Sequence, residues 1–185
     1  MPTISELFRI LPLIQYSELA LFHVITNSFD YSSYTHAGSY PRGLLYVDGG
    51  VPRWASITVF RVRIKGSLSG RTLSIRPEFF IPNTSYTIGA VITMLHAFHN
   101  RSGSISSFCA EWQVSYPSIR YFEEKFASDA SLWKKTLISM KDLCLRLHSG
   151  GYDPSCSVFT SPGDPCPMLF DAADRLPLHF IRIPP

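Results

Sequence analysis

Charged side chains are scarce, at 17% of 185 residues, which excludes a solvating tail or a long coiled coil as the body of the chain. Long apolar runs are missing too. The one candidate near the start is broken by Pro12, Gln15, Ser17 and Glu18 and falls short of the about 18 residues a membrane span needs. A soluble protein with no membrane partner is expected. Residues 1–20 hold a single base, Arg9, against Glu6 and Glu18, whereas an export signal needs a basic head before an unbroken apolar stretch. The expected location is the cytoplasm. Cysteine is limited to Cys109, Cys144, Cys156 and Cys166, none in a Cys-x-x-Cys pair, which points away from a disulfide framework or a zinc knuckle. Cys109 and Cys144 fall in helical apolar patterns and are expected as small core hydrophobes, not nucleophiles.

What the chain does have is apolar and aromatic mass. Hydrophobic residues make up 45% and aromatics 14%, enough to build a core over the length of about one typical domain. The net charge of +3 is unevenly distributed: residues 1–40 carry −2, residues 41–76 carry +6 and residues 77–185 carry −1. A basic block on a folded module is the footprint of a polyanionic partner.

The patterning predicts an α+β protein in three parts. Residues 1–83 read as a small β-rich module. Asp48-Gly49 is a hairpin signal, and from Thr58 to Lys65 the chain alternates, with Phe60, Val62 and Ile64 expected inward and Arg61, Arg63 and Lys65 on the open face. Arg71 to Ile75 can return as a second strand before Pro77 and Pro82 close the region. Residues 84–147 read as helical. Thr84 or Ser85 caps a helix marked by Ile88, Val91, Ile92, Leu95 and Phe98. Ser104 caps a short second one with Ile105, Phe108, Cys109 and Trp112. Ser115 caps a third with Ile119, Phe122 and Phe126, and Leu132 to Leu147 form a fourth. Residues 148–185 hold seven of the fourteen prolines and read as an irregular tail, Leu178 to Ile183 giving a weak strand signal.

Two short helices joined through Gln113-Val114-Ser115 have helix-turn-helix spacing. In that motif the second helix enters the major groove of double-stranded DNA and the first crosses the backbone. With Ile119, Phe122 and Phe126 inward, Ser115, Tyr116, Ser118, Arg120 and Tyr121 face outward, and Arg120 is the strong base reader among them. Glu123 and Glu124 follow at once and oppose deep insertion. Arg61, Arg63 and Lys65, with Arg71 and Arg76 close by, are expected to contact phosphates and hold the register. A charged strand face that blocks edge-to-edge pairing is the plain alternative.

The runs His36-Ala37-Gly38-Ser39-Tyr40-Pro41-Arg42, Phe60-Arg61-Val62-Arg63, Gly70-Arg71-Thr72-Leu73-Ser74-Ile75-Arg76-Pro77-Glu78-Phe79-Phe80-Ile81-Pro82, and Gly103-Ser104-Ile105 through Tyr121-Phe122 resemble an uncharacterised bacterial family of transposase-like character. That family joins an N-terminal zinc ribbon to a helix-turn-helix. The resemblance covers roughly residues 25 to 135 and implies DNA binding linked to mobile elements or regulation. It also implies paired cysteines that this chain lacks: Ile64 and Ser69 stand where the second pair falls, and no cysteine precedes Cys109. A structural zinc site needs four thiolate or imidazole ligands, a set that His23, His36, His96 and His99 do not supply. No metal or cofactor is expected. A ribbon without zinc must be held by packing of Phe60, Val62, Ile64, Tyr40 and Trp54 or be poorly ordered, as in a degenerate copy or a metal-free descendant.

No catalytic set is visible. Acidic residues do not converge on a strand-rich core as two-metal recombinase chemistry requires. A phosphate-binding glycine loop is missing, and Ser104 and Ser106 lack the flanks of a nucleophile elbow. The expected function is therefore DNA binding without catalysis. The alternative is a protein-interaction or remnant module, including a homo-oligomer. A third reading makes the chain the targeting subunit of a recombinase partner.

Overall fold

Thr3 and Ser17 are short hydroxyl residues ahead of apolar stretches, and each starts a helix. The computed structural model describes residues 1–27, 29, 31–66 and 72–149. In it Thr3 caps α1 (Ile4–Phe8) in a reciprocal capping box with Glu6. A 3₁₀ turn at Leu11–Leu13 follows, and the Ser17 Oγ accepts from the Ala20 N–H in the first turn of α2 (Glu18–Asn27). Helix thus occupies a stretch expected to belong to a β module. Two long strands, β1 (Tyr34–Asp48) and β2 (Val51–Ile64), and a two-residue β3 (Leu73–Ser74) form one antiparallel sheet in the order β1-β2-β3. Three helices complete the α+β chain: α3 (Ile88–His99), α4 (Ile105–Trp112) and α5 (Tyr116–Ser149).

The β1–β2 hairpin closes on Gly49 and Gly50, with φ of 56° and 82°. Both values are positive, the requirement of the two-residue turn that matches strand twist. The turn sets the register, Asp48 opposite Val51 and Arg42 opposite Ile57. Between His36 and Ser39 the register shifts, so that Ala37 and Gly38 together face Arg61, a bulge that bends the far end of the sheet.

Which face of β2 is buried differs from the expectation. Ile57 and Val59 are buried with Leu44 and Tyr46, and these sit on the same face as Arg61 and Arg63, not opposite them. Of the trio expected inward, Val62 is buried, Phe60 is half-buried and Ile64 is 50% exposed. Trp54, expected in the packing, is 48% exposed. Alternation shows which residues share a face but not which face the helices cover. Here they cover the Leu44–Val59 part of one face, and the strands run on beyond them.

Helix α3 is buried nearly all round, from Ile88 to Leu95, as a central helix must be. Its N-cap is Thr87, two or three residues later than expected, because Ser85 and Thr87 make a short backbone pairing with Leu45 at the edge of β1. Helix α1 packs against α3 and α5, and the Phe8 ring stacks on His96 at 3.8 Å. One buried cluster runs from Leu7 to Leu147 and takes residues from both sides of position 83, where a domain boundary was expected.

The expected third and fourth helices are one. Between Phe126 and Leu132 the chain reads Ala127-Ser128-Asp129-Ala130-Ser131, without the glycine or proline that would stop a helix. Ser128 Oγ donates to the Lys125 carbonyl, and Lys125 pairs with Asp129 at 2.7 Å, one turn on. Ile119, Phe122, Phe126, Ala130, Trp133, Leu137, Met140, Cys144 and Leu147 make a continuous buried stripe. His148 and Ser149 end this helix, and the tail expected from there lies outside the described residues from 150 on.

The junction of α2, β1 and α3 is a buried carboxylate. Glu18 is 3% exposed and accepts hydrogen bonds from the Val47 N–H at 2.8 Å, the Gly89 N–H at 3.0 Å and the Thr87 hydroxyl. Two of these donors belong to the start of α3, whose orphan N–H groups and dipole favour an acceptor. Burial pushes the Glu18 carboxyl up to about 7, against the three hydrogen bonds that pull it down. Gly89 leaves room for this approach, since a Cβ there would lie 2.5 Å from Glu18 Oε1.

Candidate functional site

The basic block becomes a surface through strand register. Cross-strand partners share a face, so Tyr40 lies with Val59, Arg42 with Ile57, and Arg61 with Ser74. All of these alternate onto the face that carries Arg63. At one end that face is packed core, and at the other Arg61 and Arg63 are exposed. Lys65, just past β2, is exposed as expected but donates from Nζ to the Ser32 carbonyl at 2.7 Å. Arg71 lies outside the described residues.

Arg42 and Arg76 lie near enough at the margin between covered and open parts of this face for their charges to interact. Both are half-buried. Arg42 donates through Nη2 to the Thr84 carbonyl, and the Tyr40 hydroxyl lies in the neighbourhood of Arg42 and Ser74. Burial and the neighbouring positive charge of Arg42 both lower the Arg76 pKa, and Tyr40 partly offsets them. Burial raises the Tyr40 phenol, but the polar side chains of Ser74 and Arg42 beside it and the charges of Arg76 and Arg42 bring it below its ordinary value. The ion pairs among the described residues are Arg53–Asp48, His99–Glu123, Arg120–Glu123 and Lys125–Asp129. No carboxylate therefore pairs with Arg42, Arg61, Arg63 or Arg76 among the described residues. Tyr40, Arg42 and Ser74 were not among the expected site residues. Counting back from the Gly49-Gly50 turn is the signal that places Arg42 on this face.

The α4–α5 corner has the expected outline with different electrostatics. Ser104 caps α4 by accepting from the Ser107 N–H, Gln113 takes a left-handed φ of 52°, and Val114 is buried in the turn. Ser115, Tyr116, Arg120 and Tyr121 are exposed, while Ser118 is half-buried. The Ser115 Oγ accepts from the Ser118 N–H at 3.2 Å, and the two hydroxyls lie 2.7 Å apart. Arg120 is held by Glu123 at 3.0 Å, and Glu123 also lies 3.4 Å from His99 Nε2. The second helix of the pair is the full 34-residue α5.

Among the described residues Arg120 has its contact with Glu123, and no contact joins it to Arg42, Arg61, Arg63 or Arg76. Ring contacts run from Phe122 to Tyr86 at 4.8 Å and from Tyr86 to Trp54 at 5.9 Å. Trp54 pairs with Leu45, on the reverse of the face that carries Arg42 and Tyr40. Phe122 also belongs to the buried cluster that holds Leu44, Tyr46 and Val59, so the start of α5 packs against the sheet through Tyr86 and this core.

Elsewhere a cavity of about 230 Å³ lies between the Glu78–Pro82 segment and α5, with Phe80, Ile81 and Trp133 as walls and Lys125, Asp129 and Thr136 at its rim. His96 and His99, a possible ligand pair by spacing, have other contacts: His96 stacks on Phe8 and His99 faces Glu123. Among the described residues no three His, Cys, Asp or Glu side chains stand together as metal ligands. Cys144 is buried and Cys109 half-buried, both free thiols. Among these residues no single helix is long and apolar enough to cross a membrane. No family model, curated protein or solved structure matches the chain, so the resemblance to the transposase-like family rests on its quoted residues alone.

Proposed function

We propose that this chain binds double-stranded DNA through the arginine face of its sheet. The observation that carries the reading is the gathering of Arg42, Arg61, Arg63 and Arg76 on one face with no carboxylate paired to them among the described residues. Unpaired guanidiniums on a rigid sheet suit phosphate oxygens, which accept their forked N–H groups. Such contacts fix position on a duplex and carry little sequence information. Arg120, its charge offset by Glu123, contributes little, so the corner at α4 and α5 acts as scaffold in this reading.

Neutralising about four phosphates gives a slope of log affinity against log salt of about −3 to −4. Fluorescence anisotropy with a random duplex at several salt concentrations measures it. A flat response, or no binding at low salt, refutes the reading.

A second reading, self-association, is favoured by exposed Leu132, Ile138 and Leu145 on α5. Ile138 and Leu145 are a heptad apart, the repeat at which two helices pair. Light scattering over a range of concentrations tests it, with Ile138→Glu expected to leave a monomer.

A further inference from the structure

We propose that Arg42, Arg76 and Tyr40, with Ser74 behind them, form a binding site for a phosphate dianion, either the free ion or a terminal phosphate ester. The inference rests on the same basic face as the DNA reading but names a single subsite within it.

Two guanidiniums near each other and half out of water repel, and proteins ordinarily set a carboxylate between them. Here none is present among the described residues. The nearest acid in sequence, Glu78, lines the cavity against α5 together with Lys125 and Asp129. Among the described residues the cluster thus offers cations and hydroxyls with no anion set against them.

The donors are also in place. An arginine has five N–H groups, and among the described residues Arg42 uses one on the Thr84 carbonyl and has the Tyr40 oxygen nearby. That carbonyl bond anchors Arg42 to the segment before α3, so the guanidinium is oriented before any ligand arrives. Arg76 makes no hydrogen bond or ion pair with a described residue. Because an arginine can only donate, the Tyr40 oxygen can accept from Arg42, and its own O–H remains to donate to Ser74 or to a ligand oxygen. Arg61 stands directly across from Ser74 and adds a third positive charge at the open edge. Two forked cations and a hydroxyl suit a tetrahedral oxyanion of charge −2 better than one of charge −1. A phosphate monoester carries about −1.5 to −2 near neutral pH, whereas each internal phosphate of DNA carries −1.

Isothermal titration calorimetry of the full chain with inorganic phosphate, at ionic strength held constant with chloride, tests the site. Saturable one-to-one binding is expected. Arg76→Gln should weaken it at least tenfold, and Arg76→Lys, which keeps the charge but loses the fork, should weaken it by a smaller factor. Lys135→Gln, at an exposed position of α5 that has no part in the arginine face, should leave it unchanged. Circular dichroism of each variant separates loss of the site from loss of the fold, and Arg76→Lys carries the test if Arg76→Gln unfolds.

A 5′-phosphorylated duplex against its 5′-hydroxyl twin identifies the source. Tighter binding of the phosphorylated duplex, lost in Arg76→Gln and reduced in Arg76→Lys, assigns the site to nucleic-acid ends. Equal binding of the two duplexes, with saturable phosphate binding, assigns it to the free ion. No saturable phosphate binding, or full binding by Arg76→Gln, overturns the proposal. Salt-sensitive DNA binding without phosphate binding sinks this subsite and spares the DNA reading, and the reverse result does the opposite.

Discussion

Replacing Glu18 with glutamine isolates the pH dependence that a buried carboxyl builds into this fold. Glu18 is removed from water, and burial raises its pKa from 4.5 to about 7 in the folded chain, while the unfolded chain leaves it near the ordinary value. The folded state therefore holds the Glu18 proton more tightly than the unfolded state does. Protonation favours folding, so the stabilisation is full below about pH 4.5 and is lost as pH rises towards 7. The gap between the two values, at about 1.4 kcal/mol per pH unit, is worth about 3 kcal/mol. The protonated acid has a partner ready: Thr87 Oγ1, which already accepts from the Ala90 N–H, has a second lone pair for the Glu18 O–H. Urea denaturation of the wild type and of Glu18→Gln at pH 5, 6, 7 and 8 gives the difference curve. Titration of other groups cancels in it. Wild-type stability should fall relative to the variant by about 2 to 3 kcal/mol across that range and level off above pH 7. A flat difference, or one that rises with pH, would show that the three donors keep the carboxylate ionised and that burial is the weaker effect.

Gly89→Ala places a methyl group 2.5 Å from Glu18 Oε1, so the carboxylate must shift; losing one or two charge-assisted bonds, less the gain in helix propensity, should cost about 2 to 3 kcal/mol in urea denaturation. Leu137→Ala, at a fully buried point of α5, should cost about 3 to 4 kcal/mol by the same assay, and a cost below about 1 would mean that the α5 stripe is not core. Arg63→Ala should weaken duplexes of different sequence alike and reduce the salt slope by about 1. Arg120→Ala should leave that slope unchanged, and an equal loss for both variants would place the start of α5 in the interface.

The parts of the fold that follow from local chemistry were legible in the sequence. Asp48-Gly49-Gly50 marks the hairpin, the apolar spacing from Ile88 to Phe98 marks α3, and Ile119, Phe122 and Phe126 face inward as their period requires. The Thr3-x-x-Glu6 capping box and Ser17 were also on the page as helix starts, but Glu18 among apolar residues reads as an interruption. Only the fold supplies the donors that let a carboxylate be buried there. The covered face of β2 depends on where helices distant in sequence dock, which no alternation of Arg61, Val62 and Arg63 can reveal. For the site, Arg61 and Arg63 stood out by charge. Arg42 did not, because its neighbours on that face come from β2 and β3. Arg120 looked free until Glu123 was seen to hold it.

The aromatic stack of Phe8 on His96 and the packing of α1 against α5 have a bearing on biosynthesis. Residues 4–16 complete their contacts only with segments as late as Cys144, whose thiol lies against the backbone of Gln15 and Tyr16. At about 5 to 20 residues per second on the ribosome, the apolar side chains of this early segment wait roughly 6 to 26 s for the helix that shelters them. During that interval they are a natural target for chaperones that hold nascent chains.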